Sequence, residues 1–311
     1  AQEVTEELVR LYLKEGQEKK ASDLLARLPQ SDTSPDAELF RAGVLSTVGR
    51  NTEARELLRR LLVRYPDNFE AWLELAYIAE REKDLAEAVK SYAKAAELMP
   101  ENPEIWFRIA VLQIGLDNPS EAMQALEKSP PSASLYMQAA LRFAEATHYA
   151  EAETLLERAG QNGGDTDELA LLLSMVRQEG SNDPLAGLPP LEAIDPSSPM
   201  YSGALQQKAR IYLKAQDFAK AHAVALEGRK RFPDRKELWG LEAYALVRME
   251  KNEDAEKLLK KSLNQYPGDE ELLFALGTIQ DEIVKKNDAM RTMEYIITVN
   301  PKNYQALNYV G

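Results

Sequence analysis

The sequence predicts an all-α solenoid of tandem helical hairpins, and three observations predict it. First, an alanine inside an acidic, helix-forming string recurs as Ala21, Ala54, Ala88, Ala122, Ala152, Ala221, Ala255 and Ala289, spaced by 33, 34, 34, 30, 69, 34 and 34 residues. Ala186 falls near the middle of the 69-residue gap, so that gap is two periods. Second, each period carries two blocks of apolar residues at helical spacing. Third, a proline closes five periods, at Pro66, Pro100, Pro233, Pro267 and Pro301. A period of this length marks one unit that buries its apolar face only by stacking on its neighbours.

Residues 69–102 give the frame. Numbered from 1 to 34, they place Trp72 at position 4, Leu75 at 7, Ala76 at 8, Ala88 at 20, Tyr92 at 24, Ala95 at 27 and Pro100 at 32. Positions 4, 7, 8 and 11 share one face of a first helix, and positions 20, 24 and 27 share one face of a second. Small residues at 8 and 20 let the two helices approach closely. Position 8 holds Ala42, Ala76, Ala110, Ala140, Ser174, Ala209, Ala243 and Gly277, and position 4 holds the aromatics Trp72, Trp106, Tyr136 and Trp239. The proline at 32 cannot continue the backbone ladder and so ends the second helix. Asn68, Asn102 and Asp269 beside it are expected to cap the next first helix.

This frame resembles the tetratricopeptide repeat, whose pattern runs W-x2-L-G-x2-Y, A-x3-F-x2-A and P. Nine repeats fit, at 2–34, 35–68, 69–102, 103–132, 133–166, 167–201, 202–235, 236–269 and 270–303, so about eighteen helices in antiparallel pairs are expected. A tenth repeat starts at Tyr304 and reaches Gly311, its position 8, which leads to the expectation that the native chain continues. Ala1 stands where an initiator Met is absent, so either a segment was removed before it or the sequence is a piece of a longer native chain. The resemblance implies a right-handed superhelix whose concave groove holds an extended peptide or a helix.

Two places depart from the period. In repeat four, Pro130 and Pro131 are expected to end the second helix about one turn early. Repeat six keeps its first helix, but its second half carries Pro184, Pro189, Pro190, Pro196 and Pro199, five of the sixteen prolines. Its tail, LEAIDPSSPMYSGA, echoes LEKSPPSASLYMQA at 126–139. The chain is therefore read as repeats at 1–179, an irregular proline-rich half-repeat at 180–201, and repeats at 202–311. The middle segment is a decayed helix, a hinge or a binding loop.

Little in the sequence suggests chemistry. The absence of cysteine excludes disulfides, thiolate metal sites and a cysteine nucleophile. His148 and His222, the two histidines, sit in frame at positions 16 and 21 with no partner at ligand spacing. No phosphate-binding glycine motif follows a strand, and Gly163, Gly164 and Asp165 read as a turn between repeats. No catalytic, cofactor or metal residue is assigned, and a non-catalytic scaffold or adaptor is expected. A net charge of -13 repels phosphate backbones, so nucleic acid is not an expected partner. No apolar run approaches the ~18 residues of a membrane span, so no direct membrane insertion is expected.

The expected contact surface follows from positions 2, 5, 9 and 12, which in tetratricopeptide proteins line the groove. Here the central repeats supply Leu73, Tyr77, Phe107, Val111, Ile114, Met137, Leu141, Leu171 and Met175. Flanking repeats are more polar, with Glu6, Arg10, Gln206 and Arg210, and a smaller apolar group is Tyr244, Val247 and Phe274. An apolar stripe on a nominally exposed face suggests a protein or peptide partner, unless tight winding buries it. Position 2 is acidic at Glu3, Asp36, Glu70, Glu104, Glu168, Glu237 and Glu271, and position 6 has no Asn. The basic carboxylate clamp of chaperone-docking relatives and the Asn ladder of sugar-transferase relatives are therefore not expected. The acids suit the first helical turn, where the backbone dipole favours them.

The closing string NPKNYQALNYVG resembles the last repeat of bacterial secreted or lipid-anchored tetratricopeptide proteins, which favours a periplasmic or envelope-anchored site over the cytoplasm. The alternative is a cis-acting assembly or regulatory module of a larger protein. Self-association through the terminal repeats is a further expectation.

Overall fold

The computed structural model describes residues 2–27 and 33–311, and only the backbone of Gln2 and Glu3. Among the described residues all regular structure is helical. The contacts divide the chain into two compact units, residues 1–158 and 159–311.

The first unit is a stack of hairpins. Its first helices are α1 (Gln2–Lys14), α3 (Pro35–Thr47), α5 (Phe69–Arg81), α7 (Pro103–Gly115) and α9 (Ala133–Glu145), each 13 residues long. Their partners are α2 (Glu18–Leu25), α4 (Asn51–Arg64), α6 (Leu85–Leu98), α8 (Pro119–Lys128) and α10 (Tyr149–Gln161), whose last residues enter the second unit. Successive helices from α1 to α8 pack on one another, and α3 also packs on α5 and α7 on α9. This two-layer, neighbour-only packing is a solenoid.

The second unit continues the pattern. It holds α11 (Thr166–Gly180), α12 (Leu188–Glu192), α13 (Tyr201–Lys214), α14 (Phe218–Arg231), α15 (Lys236–Arg248), α16 (Asn252–Gln265), α17 (Glu270–Glu282), α18 (Lys286–Val299) and α19 (Tyr304–Val310). Each packs on the next, and the first helices α11, α13, α15 and α17 pack in series.

One turn closes the hairpins. Position 15 has positive φ in eight repeats, between 60° and 79°, at Gly16, Gly49, Lys83, Asp117, Thr147, Gln216, Glu250 and Val284. The next N–H donates back to position 11, as in Asp84 to the Ala79 carbonyl at 2.9 Å, which satisfies a helix-end acceptor. A turn this short leaves only an antiparallel return. The predicted caps form: Asn68 accepts from the Ala71 N–H, Asn102 from Glu104 and Asp269 from Leu272.

The frame needs two additions. Positions 3 and 10 are also core, as Ala71 and Ile78, Ile105 and Leu112, and Leu272 and Ile279 are all buried. Packing positions also admit charge where a partner reaches them. Glu38 at position 4 is buried and pairs with Arg64, and Glu242 at position 7 is buried and pairs with Arg229, whose guanidinium lies 4.7 Å from the Trp239 ring centre.

Both irregular second helices are cut short. Helix α8 has 10 residues against 14 for α4 and α6, ended by Pro130 and Pro131. Helix α12 has five residues, and Ala186, at position 20 by count, lies in a turn before it. Leu191 and Ile194 are still buried and pack with Ala170, Ala204 and Ile211. Gly187 fits because a Cβ there would stand 2.6 Å from the Ser174 carbonyl oxygen.

Candidate partner-binding surface

The residues expected on the groove face of the first unit lie on α5, α7 and α9. Tyr77 and Leu141, both at position 9, are each 43% exposed. Leu73, Phe107, Val111 and Met137 are half-buried. Ile114 is 8% exposed, so winding has taken it into the core and it offers little surface. In the second unit Met175 is 53% exposed and Leu171 is half-buried, and the smaller group of Tyr244, Val247 and Phe274 is half-buried. The acids at position 2 project to solvent from Asp36 to Glu271, while the Glu3 side chain lies outside the described residues.

Tyr77 is held by its neighbour on the partner helix. Its ring meets that of Tyr92 edge-on, with centroids 5.7 Å apart and planes at 85°. Such an aromatic pair adds about 0.5–1.5 kcal/mol beyond area burial. Tyr92 is fully buried and donates its hydroxyl to Glu80 Oε2 at 2.8 Å. Burial first, and then the Glu80 carboxylate, raise the Tyr92 phenol well above its ordinary pKa. Glu80 Oε1 accepts from Arg108 of α7 at 3.2 Å, which ties the faces of repeats three and four together. Beside Tyr77 opens a cavity of ≈ 500 Å³ lined by Ser46, Glu74, Glu80, Arg81 and Arg108.

The polar part of this cavity was not legible from the groove positions alone. Arg81 stands at position 13 and Glu74 and Arg108 at position 6, outside the apolar stripe. A sequence signal for one link exists, since a Tyr at position 24, where the repeat pattern has Phe, brings a hydroxyl that needs a partner when buried.

The histidines join structural pairs. His148 Nε2 lies 3.2 Å from the exposed Asp117 carboxylate, and His222 Nε2 lies 3.8 Å from Glu242. Among the described residues no group of three His, Asp or Glu is arranged to hold a metal ion. No described helix is long and apolar enough to cross a membrane.

Comparisons with known proteins follow this geometry. Two family models described as tetratricopeptide repeat match the chain, one at residues 44–103 and 207–270 and the other at 79–142, together more than half of it. The solved structure of Naa15/Naa10 bound to HypK-THB is similar over 99% of this chain, at 14% identity and a TM-score of 0.50. This chain spans 65% of that chain's length, and the likeness concerns the fold alone. The C-terminal part of a TPR repeat-containing protein from Cytophaga hutchinsonii matches 76% of this chain and 98% of its own, at 14% identity and a TM-score of 0.49. PilF of Pseudomonas aeruginosa matches 76% of this chain and 94% of its own, at 18% identity and a TM-score of 0.40.

Proposed function

The chain belongs to the tetratricopeptide repeat family, and from this we propose that it is a non-catalytic scaffold or adaptor that holds a peptide or helix on the groove face of its first unit. The observation that carries the reading is the exposure of Tyr77 and Leu141 at the same frame position, flanked by half-buried Leu73, Phe107, Val111 and Met137. Apolar side chains left open together on a face that the family uses for ligands support a protein partner. Leu171 and Met175 are a separate candidate contact of the second unit. The net charge of -13 argues against nucleic acid, and retention on a heparin column is not expected.

The test is crosslinking in the native host, comparing the unaltered chain with Tyr77→Glu and Phe107→Glu. Loss of one specific partner with helicity intact is the expected outcome. Equal partner recovery by folded variants would overturn the reading.

A second reading, a cis-acting assembly or regulatory module of a larger protein, is favoured by one observation. Val4, Leu8 and Leu11 are exposed on α1 at frame positions 3, 7 and 10, which α5, α7 and α17 bury. If Leu8→Glu left the behaviour of the whole protein in its host unchanged, this reading would lose its support.

A further inference from the structure

We infer that the ligand of the first unit is an amphipathic helix lying antiparallel to α5 and carrying, in chain order, an acidic, an apolar and a basic side chain. The inference rests on the groove reading above and concerns the chemistry of what binds there.

It starts from the four charges around the cavity beside Tyr77. Two of them neutralise each other, since Arg108 Nη1 stands 3.2 Å from Glu80 Oε1. The other two have no charge partner. Arg81 donates to neutral acceptors only, the Ser46 carbonyl at 2.8 Å and Asn51 Oδ1 at 2.9 Å. These bonds fix the guanidinium in place and leave its charge uncompensated. Glu74 makes no hydrogen bond or ion pair among the described residues, although it lines the same cavity.

Spacing converts these two charges into a statement about the ligand. Glu74, Tyr77 and Arg81 stand at i, i+3 and i+7, on one face of α5. At about 1.5 Å of rise per residue, the two charges are ~10 Å apart along the axis with the Tyr77 ring between them. A second helix reproduces this spacing, with an acid and a base seven residues apart and an apolar side chain three or four residues from either. An extended strand does not, because its same-face side chains repeat at about 7 Å and then about 13 Å.

Polarity selects the orientation. In the antiparallel arrangement the N-terminal half of the ligand lies against Arg81 and its C-terminal half against Glu74. The ligand then reads acid first and base last, the order its own helix dipole favours. The parallel arrangement needs the reverse order, which the dipole opposes.

The test uses two capped, alanine-based helical peptides of identical composition and charge. One has the core Glu-Ala-Ala-Leu-Leu-Ala-Ala-Lys and the other Lys-Ala-Ala-Leu-Leu-Ala-Ala-Glu. Binding to the full chain is read by fluorescence anisotropy, with Tyr77→Glu as the groove control. The first peptide is expected to bind at least about threefold more tightly, the scale of two half-exposed ion pairs. The double variant E74R/R81E is expected to reverse that preference. Glu74→Gln, which removes one of the two pairs, is expected to weaken the first peptide about twofold and not to weaken the second. Equal binding of both peptides, sensitive to Tyr77→Glu but not to the charge variants, would overturn the inference and leave the groove reading standing. No binding of either peptide to the folded chain would overturn both.

Discussion

The indole N–H of Trp72 donates to the carbonyl of Pro66 at 2.8 Å, joining position 4 of one repeat to position 32 of the repeat before it. The same bond recurs from Trp106 to Pro100 at 2.9 Å and from Trp239 to Pro233 at 3.1 Å. The proline that stops one helix thus receives the donor of the next. Trp72→Phe keeps most of the ring contact and removes the bond. The expected loss is about 0.5–1.5 kcal/mol, read as a lower urea midpoint. Trp72→Ala also removes the packing and is expected to cost clearly more. An unchanged midpoint for Trp72→Phe would show that the bond is irrelevant.

Val284 occupies the hairpin turn with φ 64° and its side chain 77% exposed. A β-branched residue in the left-handed region crowds its own backbone, and no contact compensates for it. Val284→Gly is therefore expected to raise stability by about 1 kcal/mol, and Gly49→Val to lower it by at least as much. Thermal unfolding of both variants checks the pair, and a destabilised Val284→Gly protein would contradict the strain argument.

Glu256 is buried on α16 and accepts from Lys260 at 2.7 Å and Lys285 at 2.6 Å. These two hydrogen bonds, Lys260 first, hold its carboxyl at about 2, well below the ordinary carboxylate range. The folded pKa is depressed, so the stabilisation is complete above the unfolded value and disappears as the pH falls from about 4.5 through 2. Both lysines are largely exposed, so screening limits the contribution to about 1–2 kcal/mol. Glu256→Gln should lower stability at neutral pH and flatten the acid limb of the pH profile. An unchanged acid limb would remove Glu256 as its source.

The pair of half-buried Arg229 and buried Glu242 sets up an asymmetric result. Arg229→Ala leaves a buried carboxylate without its guanidinium and is expected to cost about 3–5 kcal/mol. Replacing both, as Glu242→Leu with Arg229→Met, restores the apolar residue that Leu75 and Leu276 supply at position 7. That double variant is expected to match or exceed the unaltered protein in chemical denaturation. A double variant as damaged as the single one would mean that the pair itself stabilises the second unit.

The hairpin fold was legible because it is written in local terms. Period, small residues at positions 8 and 20, and the proline at 32 act within one repeat, and α5, α6 and α7 form where those signals put them. The exposure of the expected apolar stripe was legible in part. Tyr77 and Leu141 are open, but Ile114 is buried, because its exposure depends on how closely adjacent repeats wind, a quantity no single repeat encodes. The charged cavity was not legible. Whether Arg108 meets Glu80, 28 residues earlier, or Glu74 depends on side-chain rotamers across two repeats. Glu38 and Glu242, the charged residues at packing positions, break the apolar pattern for the same reason, since their partners Arg64 and Arg229 come from a different helix.

The left-handed residue at position 15 makes eight of the hairpins complete within their own span of chain. The Lys214 ammonium and the Gln178 carbonyl, 36 residues apart, mark the longest reach among the described hydrogen bonds. A chain that finds its partners this close in sequence has low contact order and little loop entropy to overcome, so it assembles quickly and can start at any hairpin. It also opens piecemeal, with end hairpins exchanging amide protons well before interior ones. A whole hairpin is then a unit of heredity as well as of folding. Duplicating or excising one between positions 34 and 1 lengthens or shortens the array while the remaining left-handed turns keep their own closure.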